Sequence, residues 1–345
     1  MVQRFTPGPA QTDRFILPGF IDTHVHGGAG ADTMDGAEGV RTLARFHLSH
    51  GTTTLYPTTI TSPWENVLAA LKGVREVITT KDVGLPDIPG AHLEGPFISP
   101  ERLGAQPPFT LPISQERLDE ALALNVVRLV TIAPELEHAA LAAERFAGAC
   151  VRLSVGHSRA SAEEVQSFAA AVRRAGGTLG FTHLYNAMGG LAGRDPGIVG
   201  AALADSEAYA ELILDGQHVH EVSFLAALGA KPNHLHLVTD ATRAAGLGEG
   251  ETRLGGRKVI YKDGAVRLKD GTLAGSALTL DVALRNAVAA GLTLQTVSRM
   301  LSATPAGYMG LTDRGTLEVA RRADVVVLNG KLEVEEVYVA GRKVC

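Results

Sequence analysis

The chain has 345 residues, 45% of them hydrophobic, with 39 glycines and only 5% aromatic residues. That composition belongs to a globular, enzyme-sized chain with a large core, and it excludes fibrous and disordered classes. A formal charge of −5 without a clustered Lys/Arg face argues against nucleic acid as a partner. Cys150 and Cys345 are the only cysteines, so no disulfide framework is expected and a reducing cytoplasm fits. The N-terminus lacks a signal pattern, and no apolar run approaches the roughly 20 residues of a membrane helix. The expectation is a cytoplasmic protein without membrane contact.

Residues 1–16 form a short, proline-containing lead-in with room for one or two edge strands. The run from Leu17 to Gly28 reads as an apolar strand closed by His24 and His26, which share one face because side chains alternate along a strand. A helix is expected over 40–50 with Gly51 ending it, where His47 and His50 lie on a helix surface rather than forming a ligand pair. Residues 52–60 are β-branched and apolar, and Ser62-Pro63-Trp64-Glu65 carries helix-start signals.

The alternation continues. Strands are expected over 88–93, 126–133, 151–156, 178–182, 209–214 and 234–239, closed respectively by Glu94, Glu135, His157, His183, Asp215 and Asp240. Ser161 and Glu164 make a capping box for the helix after His157. Eight strands alternating with helices predict a (β/α)8 TIM barrel, with its chemistry at the C-terminal strand ends. Lys262-Asp263-Gly264 between two β-rich runs predicts a hairpin excursion over 258–276. The tail regains β character and is expected to pair with the N-terminus. The expected domains are a small β satellite from 1–17 and 313–345 and a barrel over 18–312.

His24, His26, Glu94, His157 and His183 would meet at one barrel mouth, and carboxylate plus imidazole suits Zn²⁺ or another first-row divalent ion. Two ions in one site need a bridging ligand, and Glu94 is the carboxylate placed to bridge, so two ions are expected rather than one. His92 shares a strand face with Glu94 and is assigned a supporting role. Asp240 fits a proton shuttle that takes a proton from attacking water and delivers it to a leaving nitrogen. A helix cap or a third protein ligand is the other reading of Asp240.

These residues carry a resemblance. Pro18 to Gly28, His92-Leu93-Glu94-Gly95-Pro96-Phe97, Gly156-His157-Ser158, Thr182-His183-Leu184-Tyr185-Asn186-Ala187-Met188, Asp215-Gly216-Gln217-His218-Val219, Val238-Thr239-Asp240-Ala241 and Gly271-Thr272-Leu273-Ala274-Gly275-Ser276 resemble the amidohydrolase superfamily. Within it they resemble the N-acetylglucosamine-6-phosphate deacetylase family, in family order across nearly the whole chain. The resemblance implies hydrolysis of the acetamide of a phosphorylated amino sugar. It implies a main ion on Glu94, His157 and His183, and a second on His24 and His26. Zinc is the first choice, with iron, cobalt or manganese as alternatives, and Asp240 is the acid/base.

Asn186, the Ala187 amide and His218 resemble the family's substrate contacts. Arg194 resembles an arginine that reaches the neighbouring active site of a homodimer. One departure stands out: Gly104-Ala105-Gln106 replaces the usual Gly-Ala-His, so a neutral amide occupies the place of the residue that polarises the substrate carbonyl. The alternatives left open are the N-acetylgalactosamine 6-phosphate epimer as substrate, another N-acyl compound, and a barrel impaired in catalysis by Gln106.

Overall fold

The computed structural model describes Met1 and residues 13–345. Most of the expected lead-in, positions 2–12, lies outside the described residues; the part described forms β1, Arg14–Pro18. Strand and helix then alternate. β2 (Phe20–Val25), α1 (Ala37–Ser49), β3 (Thr52–Pro57), α2 (Trp64–Thr80), β4 (Ala91–Glu94) and α3 (Gln115–Ala123) come first. β5 (Val127–Ile132), α4 (Ala139–Gly148), β6 (Arg152–Val155), α5 (Ala162–Arg174), β7 (Leu179–Phe181) and α6 (Gly197–Ala204) follow. β8 (Ala210–Ile213), α7 (Glu221–Ala230) and β9 (Leu235–Val238) complete the alternation.

Local sequence accounts for these elements. Every residue of β2, β3, β4, β8 and β9 is buried, as expected of parallel strands covered on both faces. The helices bury one stripe: in α1, Val40, Leu43, Ala44, His47 and Leu48 recur at three- and four-residue spacing. The capping box of α5 is formed, with Ser161 Oγ accepting from Glu164 N at 3.2 Å and Glu164 Oε2 accepting from Ser161 N at 2.8 Å. The start of α2 differs from expectation. Pro63 precedes its first turn without a side-chain cap, and Ser62 Oγ instead accepts from Asn66 Nδ2 at 3.4 Å.

β2 pairs with β3, β4 to β7 form one four-stranded sheet, and β8 pairs with β9, all in parallel. Backbone hydrogen bonds cross the seams, among them Thr59 N to His92 O at 3.0 Å, Phe181 N to Tyr209 O at 3.0 Å, and Asp240 N to His24 O at 2.9 Å. The arrangement is of the TIM-barrel type, with the ladders of the described residues divided among three sheets.

The predicted hairpin is a three-stranded antiparallel sheet: β10 (Gly250–Leu254), β11 (Arg257–Lys262) and β12 (Ala265–Leu268). It begins earlier than expected because β10 is polar, with Leu254 its only buried residue. α8 (Leu280–Ala289) follows, then α9 (Leu294–Ser298), which continues through a π turn (Arg299–Ala303) into α10 (Thr304–Met309). Pro305 lies in the first turn of α10, directly after the π turn.

One apolar cluster joins Val25, Leu93, Val155 and Leu237 of the strands to Leu43, Val74, Phe168 and Leu284 of the helices. At the far end, β13 (Val325–Asn329), β14 (Val334–Val339) and β15 (Arg342–Lys343) form an antiparallel sheet with β1, in the register Arg14 to Asn329 through Pro18 to Val325. No helix among the described residues is long and apolar enough to cross a membrane.

Ser161→Ala is expected to remove the α5 cap and lower the unfolding free energy by about 1 kcal/mol. A denaturant titration checks this, and an unchanged midpoint contradicts the capping assignment.

Candidate metal centre

Glu94 closes β4 and is only 1% exposed. Its two oxygens face opposite ways. Oε1 lies 3.2 Å from His157 Nε2 and 3.2 Å from His183 Nε2, which are themselves 3.0 Å apart. Oε2 lies 3.1 Å from His26 Nε2 and 3.5 Å from His24 Nε2. Asp240 Oδ1 stands 3.2 Å from His26 Nε2 and 3.5 Å from His24 Nε2. Six residues, from β2, from β4 and from positions just after β2, β6, β7 and β9, thus form two donor clusters, Glu94–His157–His183 and His24–His26–Asp240.

The backbone at these positions is unusual. His157, His183 and Asp240, each just beyond its strand, adopt positive φ values of 47°, 31° and 46°. Such conformations are sparsely populated by non-glycine residues and persist where surrounding structure holds them. Two glycines make close approaches that a side chain would prevent. A Cβ on Gly95 (φ +68°) would meet Thr61 Oγ1 at 2.0 Å, and one on Gly275 (φ +59°) would meet Thr242 Cγ2 at 2.6 Å and Asp240 O at 2.9 Å. These contacts account for the glycines in the Glu94-Gly95-Pro96 and Ala274-Gly275-Ser276 motifs.

The donor atoms fit divalent ions. His157 Nδ1 lies 2.9 Å from the Arg102 carbonyl and His24 Nδ1 lies 3.0 Å from Glu211 Oε2. Both partners can only accept, so each Nδ1 carries a proton and each Nε2 presents a lone pair to the site. His24 Nε2 faces His26 Nε2 at 3.3 Å and His157 Nε2 faces His183 Nε2 at 3.0 Å, so each pair has room for one shared proton or a cation between its nitrogens. Ligand atoms around a tetrahedral zinc stand roughly 3.3 Å apart, given metal–ligand bonds of about 2 Å.

Charge points the same way. Burial alone lowers the basicity of His24 and His26, but Glu94 and Asp240 reverse this, holding His24 well above the usual imidazole range and His26 at about 9. Burial pushes Glu94 and Asp240 up, and the surrounding histidines overcome it and hold both carboxyls below their ordinary values. Without metal the cluster draws protons into the positions where a cation would be bound.

The other predicted site residues lie as follows. Asn186, Ala187 and His218 line the pocket that opens onto the two clusters, with Thr272, Leu273 and Gly275. His218 Nδ1 bonds Asp215 Oδ2 at 2.7 Å, which fixes the ring. Asn186 Nδ2 donates to the carbonyls of His183 and Leu184 at 3.1 and 3.3 Å, so its amide is partly committed to the turn. Gln106 lines the pocket but is tied at both ends: its Oε1 accepts from Thr61 N at 2.7 Å and its Nε2 donates to Glu94 Oε2 at 2.6 Å. Arg194 is exposed in the segment before α6 and does not line the pocket. Among the described lining residues there is no lysine or arginine.

Sequence reading missed Glu211. It lies inside β8, fully buried, and holds His24 Nδ1. The available signal was a carboxylate within the apolar stretch Ala210-Glu211-Leu212-Ile213, since charged residues are almost never fully buried unless paired. Asp22 was also passed over; its Oδ2 accepts from Thr239 Oγ1 at 2.6 Å, tying β2 to the residue before Asp240.

Comparison with known proteins bears on this geometry. The sequence profile of the Amidohydrolase family matches residues 15–344. The chain belongs to this family. It is 37% identical over 333 residues to the N-acetylgalactosamine-6-phosphate deacetylase of Escherichia coli O157:H7, covering 95% of this chain and 87% of that protein. It is 38% identical over 357 residues to the N-acetylglucosamine-6-phosphate deacetylase of Homo sapiens, covering 96% of this chain and 83% of that one. It also resembles the solved structure of N-acetyl-D-glucosamine-6-phosphate deacetylase from Mycobacterium smegmatis in complex with N-acetyl-D-glucosamine-6-phosphate. The TM-score is 0.89 at 34% identity, covering 98% of this chain and 90% of that one.

In this amidohydrolase, buried histidines outside the donor clusters contribute to acid sensitivity. Burial pushes His47, on the Gly27 carbonyl at 2.9 Å, and His236 down to about 4. Their unfolded counterparts titrate near 6.5, so both groups contribute stability that is lost as pH drops from about 6.5 towards 4, partly offset by Asp22, which burial pushes up to about 7. Thermal melts of the metal-free protein between pH 7.5 and 4.5 test this, and a flat profile contradicts it.

Proposed function

We propose that this amidohydrolase is a metal-dependent deacetylase that hydrolyses the acetamide of N-acetylglucosamine 6-phosphate to glucosamine 6-phosphate and acetate. The observation that carries the reading is Glu94 set between two histidine pairs, with Asp240 beside them, at the floor of a pocket that also presents His218. Relatives at 36–38% identity over nearly the whole chain bear that activity by name.

Glu94, His157 and His183 would hold one divalent ion, and His24 and His26, with the second oxygen of Glu94 near them, would hold a second. Zinc suits the donor set best, with iron, cobalt and manganese as alternatives. When bound, such ions polarise the amide carbonyl and bring the pKa of water towards neutrality. Asp240, kept anionic by the histidines around it, takes the proton of the attacking water and delivers it to the amide nitrogen as the C–N bond breaks. Gln106, whose amide is engaged by Glu94 and Thr61, would steady the carboxylate rather than polarise the substrate carbonyl.

The phosphate is held by His218, by Asn186 and the Ala187 amide, and by Arg194 of a second copy in a homodimer. The absence of lysine and arginine from the described pocket lining, together with the exposure of Arg194 outside it, supports the crossing arginine. The eight parallel strands are taken as one closed (β/α)8 barrel over 18–312, supported by the hydrogen bonds at the seams. Residues 1–17 and 313–345 are taken as a small β domain, supported by the pairing of β1 with β13. A cytoplasmic location fits the two unpaired cysteines.

N-acetylgalactosamine 6-phosphate is the second reading, favoured by the name of the Escherichia coli relative at 37% identity. Comparing kcat/KM for the two sugars decides between them.

Asp240→Asn is expected to lower kcat by about 10²–10⁴-fold, the usual worth of a positioned acid/base, while metal content stays at the wild-type level. A near-normal rate rules out the shuttle. Arg194→Ala is expected to raise KM for the phosphorylated sugar about 10–100-fold, the equivalent of one charge-assisted hydrogen bond, and to leave an unphosphorylated analogue unaffected. Equal effects on both would remove the phosphate assignment.

A further inference from the structure

The two donor clusters are backed differently. His157 Nδ1 rests on a neutral carbonyl, that of Arg102, at 2.9 Å. His24 Nδ1 rests on a carboxylate, Glu211 Oε2, at 3.0 Å, and Glu211 is fully buried on β8. Glu211 is itself fixed. Its Oε1 accepts from Thr23 Oγ1 at 2.8 Å, and Thr23 Oγ1 lies 3.1 Å from His236 Nε2. With the Thr23 hydroxyl proton committed to Glu211, His236 donates Nε2–H to the same oxygen. The hydrogen bonds therefore converge on Glu211, from His236 through Thr23 on one side and from His24 Nδ1–H on the other, which leaves a lone pair on His24 Nε2 beside His26, Glu94 and Asp240.

We propose that Glu211 is a positioning residue that selects the ligating tautomer of His24 and thereby decides whether the second ion is held, while leaving the Glu94–His157–His183 position untouched. The inference rests on the two-ion reading of the site. Glu211, His24 and His92 also offer three nitrogen and oxygen atoms close enough to surround an ion, and His92 Nδ1 is buried without a partner. The 3.0 Å contact of His24 Nδ1 to Glu211 is that of a hydrogen bond, and His92 is already held through Nε2 on Thr131 Oγ1 at 2.8 Å. Glu211 therefore acts through His24 rather than on an ion of its own.

Glu211→Gln keeps the shape and offers an amide that can donate to His24 Nδ1, moving the ring proton to Nε2 and blocking ligation. If the amide instead turns its oxygen to His24, its NH₂ meets Thr23, whose proton then turns to His236 and reverses that ring's tautomer, leaving a protonated Nδ1 that has no partner. Both arrangements disfavour the second ion.

The test titrates zinc into the chelator-stripped full-length protein against a competing dye, with elemental analysis of the product and a melting curve of the stripped form. Wild type is expected to take up two ions. Glu211→Gln is expected to hold the first with wild-type affinity and the second about 10–100-fold more weakly, as is usual when a partner behind a ligating histidine is lost. Thr23→Val, which removes the hydroxyl steadying Glu211, is expected to shift the second ion in the same direction, and it serves as the test should Glu211→Gln fail to fold.

Two ions bound as in wild type by the variant that folds, or both ions weakened equally, overturns the inference while the two-ion reading stands. Three ions on wild type makes Glu211 a ligand and likewise overturns it. Fewer than two ions on wild type overturns the two-ion reading and this inference with it.

Discussion

The structure is organised around a carboxylate that is almost wholly withdrawn from water and faces basic groups on both sides. Burying Glu94 costs several kcal/mol unless compensated, and compensation comes from four imidazoles on β2, just after it, and on the turns after β6 and β7. Those imidazoles can reach one carboxylate only because parallel strands present their C-terminal ends at a common rim. The left-handed backbone at His157 and His183, and at Asp240 on the opposite side, turns each side chain inward at the point where the strand ends. The barrel-type arrangement supplies convergence, and the strained turns supply aim.

A polar layer beneath the rim holds these ligands at fixed positions. His92 Nε2 bonds Thr131 Oγ1, Thr131 bonds Thr182 Oγ1 at 2.8 Å, and Thr182 donates to Ser154 Oγ at 2.7 Å, linking β4, β5, β6 and the residue before His183. On the other side, Asp22 receives Thr239 Oγ1 and the backbone N–H groups of His24 and Thr239. Each of these hydroxyls and rings occupies interior volume that apolar side chains would fill at no desolvation cost. A buried network of this kind trades that stabilisation for a single arrangement of its members, the requirement of a site whose donors must meet within tenths of an ångström.

Legibility in the sequence followed the same physics. All eight strands appear near their expected places because each is a short apolar run, and the ligands beyond them stand out because each run ends abruptly in a polar side chain. Glu211 escaped because it sits within its strand, where sequence cannot say whether a carboxylate faces a partner across the barrel. The role of Gln106 was equally hidden: a chain position shows an amide in place of an imidazole, while only the fold shows its oxygen on Thr61 and its nitrogen on Glu94. β10 escaped because an exposed antiparallel edge needs no apolar pattern. The start of α2 was misassigned to Ser62 because cap propensity is weaker than the packing that sets where a helix begins.

Charge ties the centre to the proposed substrate. Glu94, Asp240 and Glu211 place three carboxylates within one buried region, and the chain as a whole is net negative. A phosphate brought into the adjoining pocket enters an unfavourable field unless cations stand at both ends of it. Divalent ions would meet that need at the floor, where the substrate's amide lies in the proposed reading. At the outer end the chain presents His218, fixed by Asp215, and no lysine or arginine among the described lining residues. One imidazole and backbone amides are a weak cradle for a dianion, whereas a guanidinium offers a planar fork matched to phosphate oxygens. The electrostatics of a single chain therefore leave the described pocket lining short of positive charge, the need that the proposed Arg194 of a second copy would meet.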